Sequence, residues 1–188
     1  MIISLEEAKK INPNILQSDL DALEQSIREI THNKFQNTNL RFFGFKITNG
    51  NTLEFDATLA FLRVGETIEL SHTWSNVGYG QNEDAGINDG LFVIEEVTDH
   101  SIKLKDADLF NGDFPSAFIT KIAYPPDILS GVKKLLQYDA TMANKVGIKS
   151  ESISRMSITY YDMTSSETVN GYPASLFSFI NKYKKLRW

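Results

Sequence analysis

The chain has 188 residues, of which 41% are hydrophobic and 23% are charged, and its formal net charge is −5. These values are typical of one globular domain, or of a domain with a modest insertion, and they argue against a general nucleic-acid binder, which needs a basic surface. The absence of cysteine excludes disulfides and thiolate metal sites, and without a long apolar run or a signal-peptide pattern we expect a protein that is made in the cytoplasm, works in water and has no membrane partner.

The charged residues divide the chain into three parts. Residues 1–40 hold six acidic and four basic residues, whereas residues 41–125 hold thirteen acidic and six basic ones, a net charge of about −7. Residues 126–188 reverse the sign, with nine basic and five acidic residues and a net charge of about +4. We therefore expect the middle of the chain to form a structure of a different kind from its two ends.

The first 40 residues carry the signals of two helices. Ser4 and Glu7 match a capping box, in which a serine oxygen and a glutamate satisfy the free amides of a helix start, so a short helix is predicted to end near Lys10. A second helix is predicted from about Ser18 to about Phe35. Its buried stripe consists of apolar residues spaced three or four apart: Leu20, Leu23, Ile27 and Ile30.

The clearest β-hairpin lies in residues 45–55, which alternate between apolar and polar around Asn49-Gly50. A two-residue loop would pair Ile47 with Thr52, whereas a three-residue loop pairs Ile47 with Leu53. We prefer the three-residue loop, because it also places the phenylalanines at the two ends of the hairpin opposite each other.

Further short strands follow, separated by turns rich in Gly, Asn and Asp. They are predicted at Thr67–His72, Leu91–Val97, Ser101–Lys105 and Phe118–Tyr124. A set of about five or six short antiparallel strands predicts a small barrel or sandwich.

Two more helices are predicted in the last third of the chain. One lies between Pro125-Pro126 and Asn144, where apolar and charged residues occupy opposite faces. The other begins after Pro173, a residue suited to the first turn of a helix. Its apolar side would hold Leu176, Phe177, Ile180 and Tyr183.

Neither helical end is long enough to bury a stable core alone, because fragments of roughly 40 and 60 residues are marginal. The two ends are therefore expected to pack on each other as one discontinuous helical domain, residues 1–40 plus 126–188. Residues 41–125 would form an inserted β-domain that leaves and re-enters the helical domain at neighbouring points. The predicted fold class is α+β, a small helical bundle with an inserted antiparallel β-barrel or sandwich.

One strand-like segment, Met156–Tyr160, alternates strictly and is rich in β-branched and aromatic residues, although it lies between two predicted helices. A single strand cannot satisfy its own backbone groups. Its partner is expected to come from the loop at 164–170, from the β-domain, or from an adjacent subunit by edge pairing.

Residue types that carry catalysis or bind metals do not form a recognisable pattern. His32, His72 and His100 lack metal-ligand spacing, so solvated or locally bonded histidines are favoured. The glycines at 78 and 80 lack the following helix that a phosphate-binding loop needs. Acidic surface turns are favoured over a calcium site at Glu83, Asp84, Asn88 and Asp89. Since no nucleophile signature is present either, neither an enzyme nor a cofactor is expected.

Two groups of aromatic residues are candidates for binding. Trp74 and Tyr79 flank the long loop of the predicted β-domain, where they would either stack on a sugar or base or anchor the loop, and anchoring is favoured. The run Lys182–Trp188 mixes cations with aromatics. That mixture suits contact with an acidic partner surface or with phosphates, and equally a solvated helix end whose cations favour the helix dipole.

The order of elements in the two ends resembles that of the head-tail connector (adaptor) proteins of long-tailed bacteriophages and related prophages. The resemblance covers roughly residues 1–35 and 129–188. Its most specific parts are the Gly147–Ile153 turn that leads into Ser157–Tyr160, and Gly171-Tyr172-Pro173 before the last helix. The acidic insertion departs from the family pattern, so the resemblance does not supply its role.

The resemblance implies a virion protein of the head-tail neck, which assembles as a dodecameric ring under the portal protein and extends the DNA channel. DNA would pass without sequence-specific binding, because an acidic surface repels it. A head-completion or tail-joining protein would be the next partner. By analogy, the portal-docking residues would be Lys182, Tyr183, Lys184, Lys185, Leu186, Arg187 and Trp188. The subunit interface or channel lining would be Met156, Ser157, Ile158, Thr159, Tyr160 and Tyr161.

Two other classes of function stay open. The β-insertion would serve as a carbohydrate- or protein-binding module in a phage particle, with Trp74 and Tyr79 as its possible ligand contacts. A hydrolase would need a deep pocket that holds paired carboxylates, and this class ranks last.

Overall fold

The computed structural model describes residues 1–74, 86–142, 150–153, 156–159, 168–169 and 171–186, with the backbone alone at 150–153 and 156–159. The chain divides into two compact units. The first unit consists of Lys34–Ala123 with Met1, and the second of Ile2–Asn33 with Tyr124–Trp188. We refer to them as the barrel unit and the helical unit.

The barrel unit is a closed antiparallel barrel of six strands in the order β1-β2-β5-β4-β3-β6. Its strands are β1 Gln36–Thr48, β2 Thr52–Glu54, β3 Thr67–Ser71, β4 Gly90–Val97, β5 Ser101–Leu104 and β6 Gly112–Ile122. The prediction of a small antiparallel barrel is therefore confirmed. Alternating apolar side chains fill the interior, and each large aliphatic that is fully buried there stabilises the fold by roughly 1.5–3 kcal/mol. They are Ile47, Leu53, Ile68, Leu70, Ile94, Ile102, Leu104 and Ile119.

The β1–β2 hairpin has the predicted three-residue loop. Ile47 pairs with Leu53 and Thr48 pairs with Thr52, so the loop is residues 49–51. Asn49 and Gly50 both have positive φ, at 54° and 71°, which only glycine and a few polar residues adopt readily. The two phenylalanines that the prediction placed opposite each other are buried, and their ring centroids are 5.4 Å apart.

Two predicted boundaries are wrong at the start of the barrel. The second helix ends at Thr31 and not near Phe35, because His32 adopts a left-handed cap at φ 49° and donates its N–H to carbonyls of the last turn. Strand β1 then begins at Gln36, nine residues before the predicted hairpin. Phe35 itself is buried, and its carbonyl accepts a hydrogen bond of 2.9 Å from the Ala123 N–H. Its apolar character therefore reflects packing beside β6 and not a helical stripe.

Strand β6 begins at Gly112, six residues before the predicted Phe118. Pro115 lies within it, although proline has no N–H for a strand ladder. The register of β1 against β6 shifts between Phe43 and Phe45, around Gly44, whose Cβ position would lie 3.4 Å from the Pro115 carbonyl oxygen. The bulge interrupts the ladder where the proline cannot donate, and this allows the strand to continue.

The helical unit contains α1 Leu5–Lys9, α2 Gln17–Thr31, α3 Pro126–Met142 and a 3₁₀ helix, Ala174–Tyr183. It also contains two two-stranded sheets, β7 Ser150–Ile153 with β8 Met156–Thr159, and β9 Thr168–Val169 with β10 Tyr172–Pro173. Over its described residues the unit thus mixes helices with small sheets, and it does not show the helical bundle that we expected. The Ser4 cap of α1 is present, since its Oγ accepts a 3.3 Å hydrogen bond from the Glu7 N–H.

The last helix is a 3₁₀ helix and not the α-helix implied by the pattern. Phe177 and Ile180 are buried and Tyr183 is half-buried, and these three residues are spaced three apart. A 3₁₀ helix has three residues per turn, so this spacing aligns all three side chains on one edge. The buried residues of this segment are therefore spaced for a 3₁₀ helix and not for an α-helix.

The partner expected for strand Met156–Tyr160 is also wrong. Strand β8 pairs antiparallel with β7, with Ser150 opposite Thr159 and Ile153 opposite Met156. The segment that we interpreted as a turn leading into the strand is itself the first strand of a hairpin. The pairing that the described residues show for this strand is therefore with β7, a partner that the sequence did not suggest.

None of the helices in the described part of the chain combines the length and the apolarity that a membrane crossing requires.

Gly131 of α3 provides a test of the packing inside the helical unit. Replacing a helical glycine by alanine normally stabilises a protein by about 0.5–1 kcal/mol. A Cβ at Gly131 would instead lie 2.5 Å from ring carbons of Phe179. Since overpacking costs about 1–3 kcal/mol, we expect Gly131→Ala to lower the free energy of unfolding, measured by urea denaturation.

Ser130→Ala is the matched control for that prediction, because Ser130 is the exposed neighbour in the same helix. It should leave the stability within about 0.5 kcal/mol of the parent chain. A Phe179→Ala background should also remove the penalty of Gly131→Ala. A stabilising Gly131→Ala in the parent chain would contradict the packing described here.

Candidate functional site

Four aromatic side chains form a continuous row on the outside of the barrel, which we call the aromatic strip: Phe43, Phe118, His72 and Trp74. Consecutive ring centroids are 5.5 Å, 5.1 Å and 4.8 Å apart. These separations are close to the spacing of neighbouring strands, roughly 4.8 Å. The row crosses from β1 to β6 and then to the end of β3, because Phe43 and Ser71 are both register partners of Phe118.

The strip is open to solvent at both of its ends. Phe43 is 63% exposed and Trp74 is 45% exposed, while Phe118 between them is half-buried. Phe43 would lie on the same face as the buried Phe45 in a regular strand, since side chains two residues apart share a face. The bulge at Gly44, with φ 64°, turns Phe43 outward.

Arg41 lies beside the strip and its charge is not neutralised by a carboxylate among the described residues. Its guanidinium lies over the Phe118 ring, 5.0 Å from the centroid. Its hydrogen bond to Gln36 Oε1 is long, at 3.4 Å, and its buried Nε has no acceptor. Glu69, which has the same register partner as Arg41 in β6, is already paired with Lys34 at 3.1 Å and accepts from Gln36 at 3.2 Å.

Asp89 fixes the backbone that carries His72 and Trp74. Its two carboxylate oxygens accept hydrogen bonds from the N–H of His72 at 3.1 Å and from the N–H and Oγ1 of Thr73 at 2.9 Å and 2.6 Å. The Asn88 N–H donates to Thr73 Oγ1 at 2.9 Å. Asn88 also exchanges two hydrogen bonds with the backbone of Phe110, at 3.0 Å and 2.8 Å.

These bonds give Asn88 and Asp89 a structural role in the acidic turn. Asn88 and Asp89 hold the end of β3, and the part of the chain that the structure describes contains no group of three potential metal ligands. Gly86 is required in this turn, because a Cβ there would lie 2.0 Å from Asp89 Oδ1. The other two side chains of the calcium hypothesis, Glu83 and Asp84, lie outside the described residues.

The second candidate surface is the C-terminal segment, residues 182–186 of the helical unit. Asp127, in the first turn of α3, receives the Lys182 ammonium at 2.5 Å and the Tyr183 hydroxyl at 2.5 Å. The Lys185 N–H donates to the Thr31 carbonyl at 2.8 Å, and Asn33 Nδ2 donates to the Tyr183 carbonyl at 3.3 Å. The segment is thus bonded to α2, to α3 and to the residues that follow α2.

The side chains after Tyr183 point to solvent. Lys184 and Lys185 are exposed, and Leu186 is 75% exposed. Of the seven predicted docking residues, Lys182 and Tyr183 are therefore engaged within the unit, whereas these three are presented outward. The remaining two, Arg187 and Trp188, lie outside the described residues.

Several ionisable side chains of the helical unit have pKa values shifted from their ordinary values. The hydrogen bond from Lys182 holds the pKa of Asp127 below its ordinary value, with a second contribution from Tyr183. Burial raises the pKa of Asp139, which accepts a 2.6 Å hydrogen bond from the Tyr172 hydroxyl. Burial also raises the pKa of Tyr124, whose hydroxyl donates to the buried Glu24 at 2.8 Å.

Some of the other predicted site residues lie in the described part of the chain and some lie outside it. Trp74 is in the aromatic strip, while Tyr79 lies outside the described residues. Residues 156–159 form β8, and only their backbone is described. Tyr160 and Tyr161 lie outside the described residues.

Sequence reasoning missed three members of the strip and the cation beside it: Phe43, His72, Phe118 and Arg41. A single glycine within an aromatic strand pattern, Gly44, was the available signal, because such a glycine suggests a bulge. The pairing of β1 with β6, about 75 residues away, was not readable from local patterns.

Comparison with protein-family models gives no match for this chain, and comparison with curated proteins gives none either.

Asp89→Ala is predicted to loosen the end of the aromatic strip. The change leaves the N–H of His72 and the N–H and hydroxyl of Thr73 without their acceptor, a loss of about 1–3 kcal/mol. In a Trp188→Phe background, the remaining Trp74 should show lower fluorescence anisotropy and easier quenching. Asp99→Ala, in an exposed turn, is the control, and an unchanged Trp74 signal in Asp89→Ala would contradict the clamping role.

Acid should release the C-terminal segment. Because the folded-state pKa of Asp127 lies below its ordinary value of 3.8, its contribution to stability is complete above that value and is lost as the pH falls through the folded pKa. Tyr183 ring signals in NMR spectra should therefore move toward those of a free tyrosine at the acid end of a titration. In Asp127→Asn they should lose this acid step, while Asp139→Asn should leave it in place.

Proposed function

We propose that this chain is a structural head-tail connector of a bacteriophage particle, made in the host cytoplasm and assembled as a ring under the portal protein. The observation that carries the proposal is the C-terminal segment. Its backbone is bonded to Thr31 and Asn33, and its next three side chains are a cationic and apolar group facing solvent. A segment held in place in this way loses little conformational entropy when it binds a partner.

In this proposal, the helical unit acts as the connector domain and the barrel unit is the inserted domain. The resemblance to phage connector proteins in the order of the terminal elements supports that arrangement. Lys184 and Lys185 would meet carboxylates of the portal protein, and Leu186 would supply an apolar contact. The head-completion or tail-joining protein would bind another face of the ring.

The hairpin of β7 and β8 gives a route to ring formation. Among the described strands, β7 and β8 pair only with each other, so an outer edge of this sheet would be able to accept a further strand. Residues 156–161 would extend such an edge to the neighbouring subunit, or line the channel. DNA would pass such a ring without sequence-specific contacts, because the chain carries net negative charge.

Charge reversal of the C-terminal segment tests the connector proposal. We expect Lys184→Glu/Lys185→Glu to reduce capture of the chain by portal-bearing capsids at least tenfold, because two attractive contacts become repulsive. The measurement is a pull-down with capsids purified from a connector-deficient infection, followed by imaging of the neck. Circular dichroism should show an unchanged fold, since both side chains are exposed.

Lys9→Glu/Lys10→Glu is the matched control, with the same charge change on exposed residues at the end of α1. It should leave capture unchanged. Equal loss in both variants would point to net charge instead of a docking site. Full capture of Lys184→Glu/Lys185→Glu would remove the docking role of the segment.

A second candidate function is favoured by the aromatic strip, namely a binding module that is carried by the barrel. Exposed aromatic side chains next to an unneutralised arginine form a surface that a purely structural barrel does not need. The two functions are compatible, because a connector with an inserted binding module would present both surfaces in one particle. Loss of ligand on Trp74→Ala, with capsid capture intact, would separate them.

A further inference from the structure

We infer that the aromatic strip and Arg41 together bind a segment of a partner protein in which a carboxylate lies next to an aromatic or apolar side chain. This inference rests on the second proposed function, a binding barrel, and names the chemistry of its ligand. It does not depend on the connector role.

Arg41 has no carboxylate partner among the residues that the structure describes. Cations on neighbouring parts of the barrel have carboxylate partners, since Lys34 pairs with Glu69 at 3.1 Å and Lys121 pairs with Glu66 at 2.6 Å. Arg41 is half-buried, and among the described residues its only acceptor is the Gln36 amide oxygen, at 3.4 Å from Nη2. Its Nε is buried, so a ligand would contact the terminal nitrogens of the guanidinium. A guanidinium fits a carboxylate with two parallel hydrogen bonds, so an incoming carboxylate supplies what the barrel does not.

The side chains around Arg41 are of types that are common in protein–protein interfaces. Tryptophan, phenylalanine and arginine are enriched in the centres of protein–protein interfaces, and a few such side chains carry most of the binding energy. The strip brings Phe43, Phe118 and Trp74 into one row with Arg41 lying on its middle ring. An apolar side chain of the partner would pack on the exposed ends of the row while its carboxylate reaches Arg41.

The tilt of the rings in the aromatic strip disfavours sugars and bases as ligands. Adjacent rings in the strip are inclined at 45°, 35° and 41° to each other, so the strip does not form one flat platform. Stacking of sugars or bases needs open, flat ring faces. In addition, residues 34–123 hold thirteen acidic and seven basic residues, which repels a phosphate backbone with many charges more than a ligand with a single carboxylate.

Contacts within the barrel position the aromatic strip before any ligand binds. The bulge at Gly44 sets Phe43, and Asp89 holds the backbone of His72 and Thr73 beside Trp74. Rigid aromatic anchors lose little side-chain entropy when a ligand packs on them. The surface therefore has the preorganisation of a binding site, and a ligand would not need to create it.

The test uses the full-length chain and an array of short synthetic peptides in which Phe or Trp adjoins Asp or Glu. Matched copies carry Asn or Gln in place of the acid. We expect the acidic peptides to bind at least tenfold more tightly than their amide copies, as a charge-assisted hydrogen bond predicts. Arg41→Gln should abolish this difference, and Trp74→Ala should weaken both sets.

Two controls match these variants. Arg63→Gln removes an exposed arginine, and Phe61→Ala removes a phenylalanine that is 79% exposed, both from the same barrel and outside the strip. Neither should change peptide binding. If Arg41→Gln fails to fold, as judged by its thermal unfolding, the comparison of acid and amide peptides with Trp74→Ala still decides the question.

Several outcomes would overturn the inference. Equal binding of acidic and amide peptides would remove the role of Arg41, and loss of binding in Arg63→Gln would point to general electrostatics. Binding on a glycan array that is lost in Trp74→Ala, without peptide binding, would identify a carbohydrate module instead. Lys184→Glu/Lys185→Glu should keep full peptide binding, so failure of the connector proposal and failure of this inference are distinguishable.

Discussion

The pairing of β1 with β6 closes the barrel, and the alternation of β1 breaks at Gly44, one of two places where the register of this pair shifts. Residues two apart in a strand share a face, yet Phe45 is buried in the core and Phe43 is 63% exposed. The interruption needs a backbone at φ 64°, which would cost an ordinary residue about 1–2 kcal/mol. One glycine therefore allows the same strand to supply the core on one side and the aromatic strip on the other.

Charge is handled in the same way on both candidate surfaces. In the helical unit, Asp127 neutralises Lys182 and leaves the next two lysines exposed. In the barrel unit, acidic residues neutralise Lys34 and Lys121, whereas Arg41 has no carboxylate partner within the described part of that unit. Exposed ion pairs add little to the stability of a protein. The main consequence of these pairings is therefore which cations remain able to contact a partner. Each unit thus has its own unneutralised cation next to exposed apolar side chains.

Local patterns predicted what depends on neighbouring residues, namely the hairpin register at Ile47 and Leu53, the Ser4 cap and the positions of most strands. They failed where distant segments decide the outcome. Phe35 looked helical although it packs beside β6, and the β7 segment looked like a turn although it pairs with β8. The aromatic strip could not be predicted from local patterns for the same reason, because its rings come from three strands that meet only in the folded barrel.

A second interruption of alternation explains why the strip continues past β6. Leu70 points into the core, so His72 would also point inward if β3 stayed regular. His72 instead has φ 64°, a conformation that histidine tolerates better than most residues, and Asp89 accepts its N–H. The turned-out imidazole then meets the Phe118 ring from the side opposite to Phe43. Two breaks in different strands converge on one ring. The break at His72 holds a non-glycine residue in the left-handed region, at the surface where we propose that a partner binds.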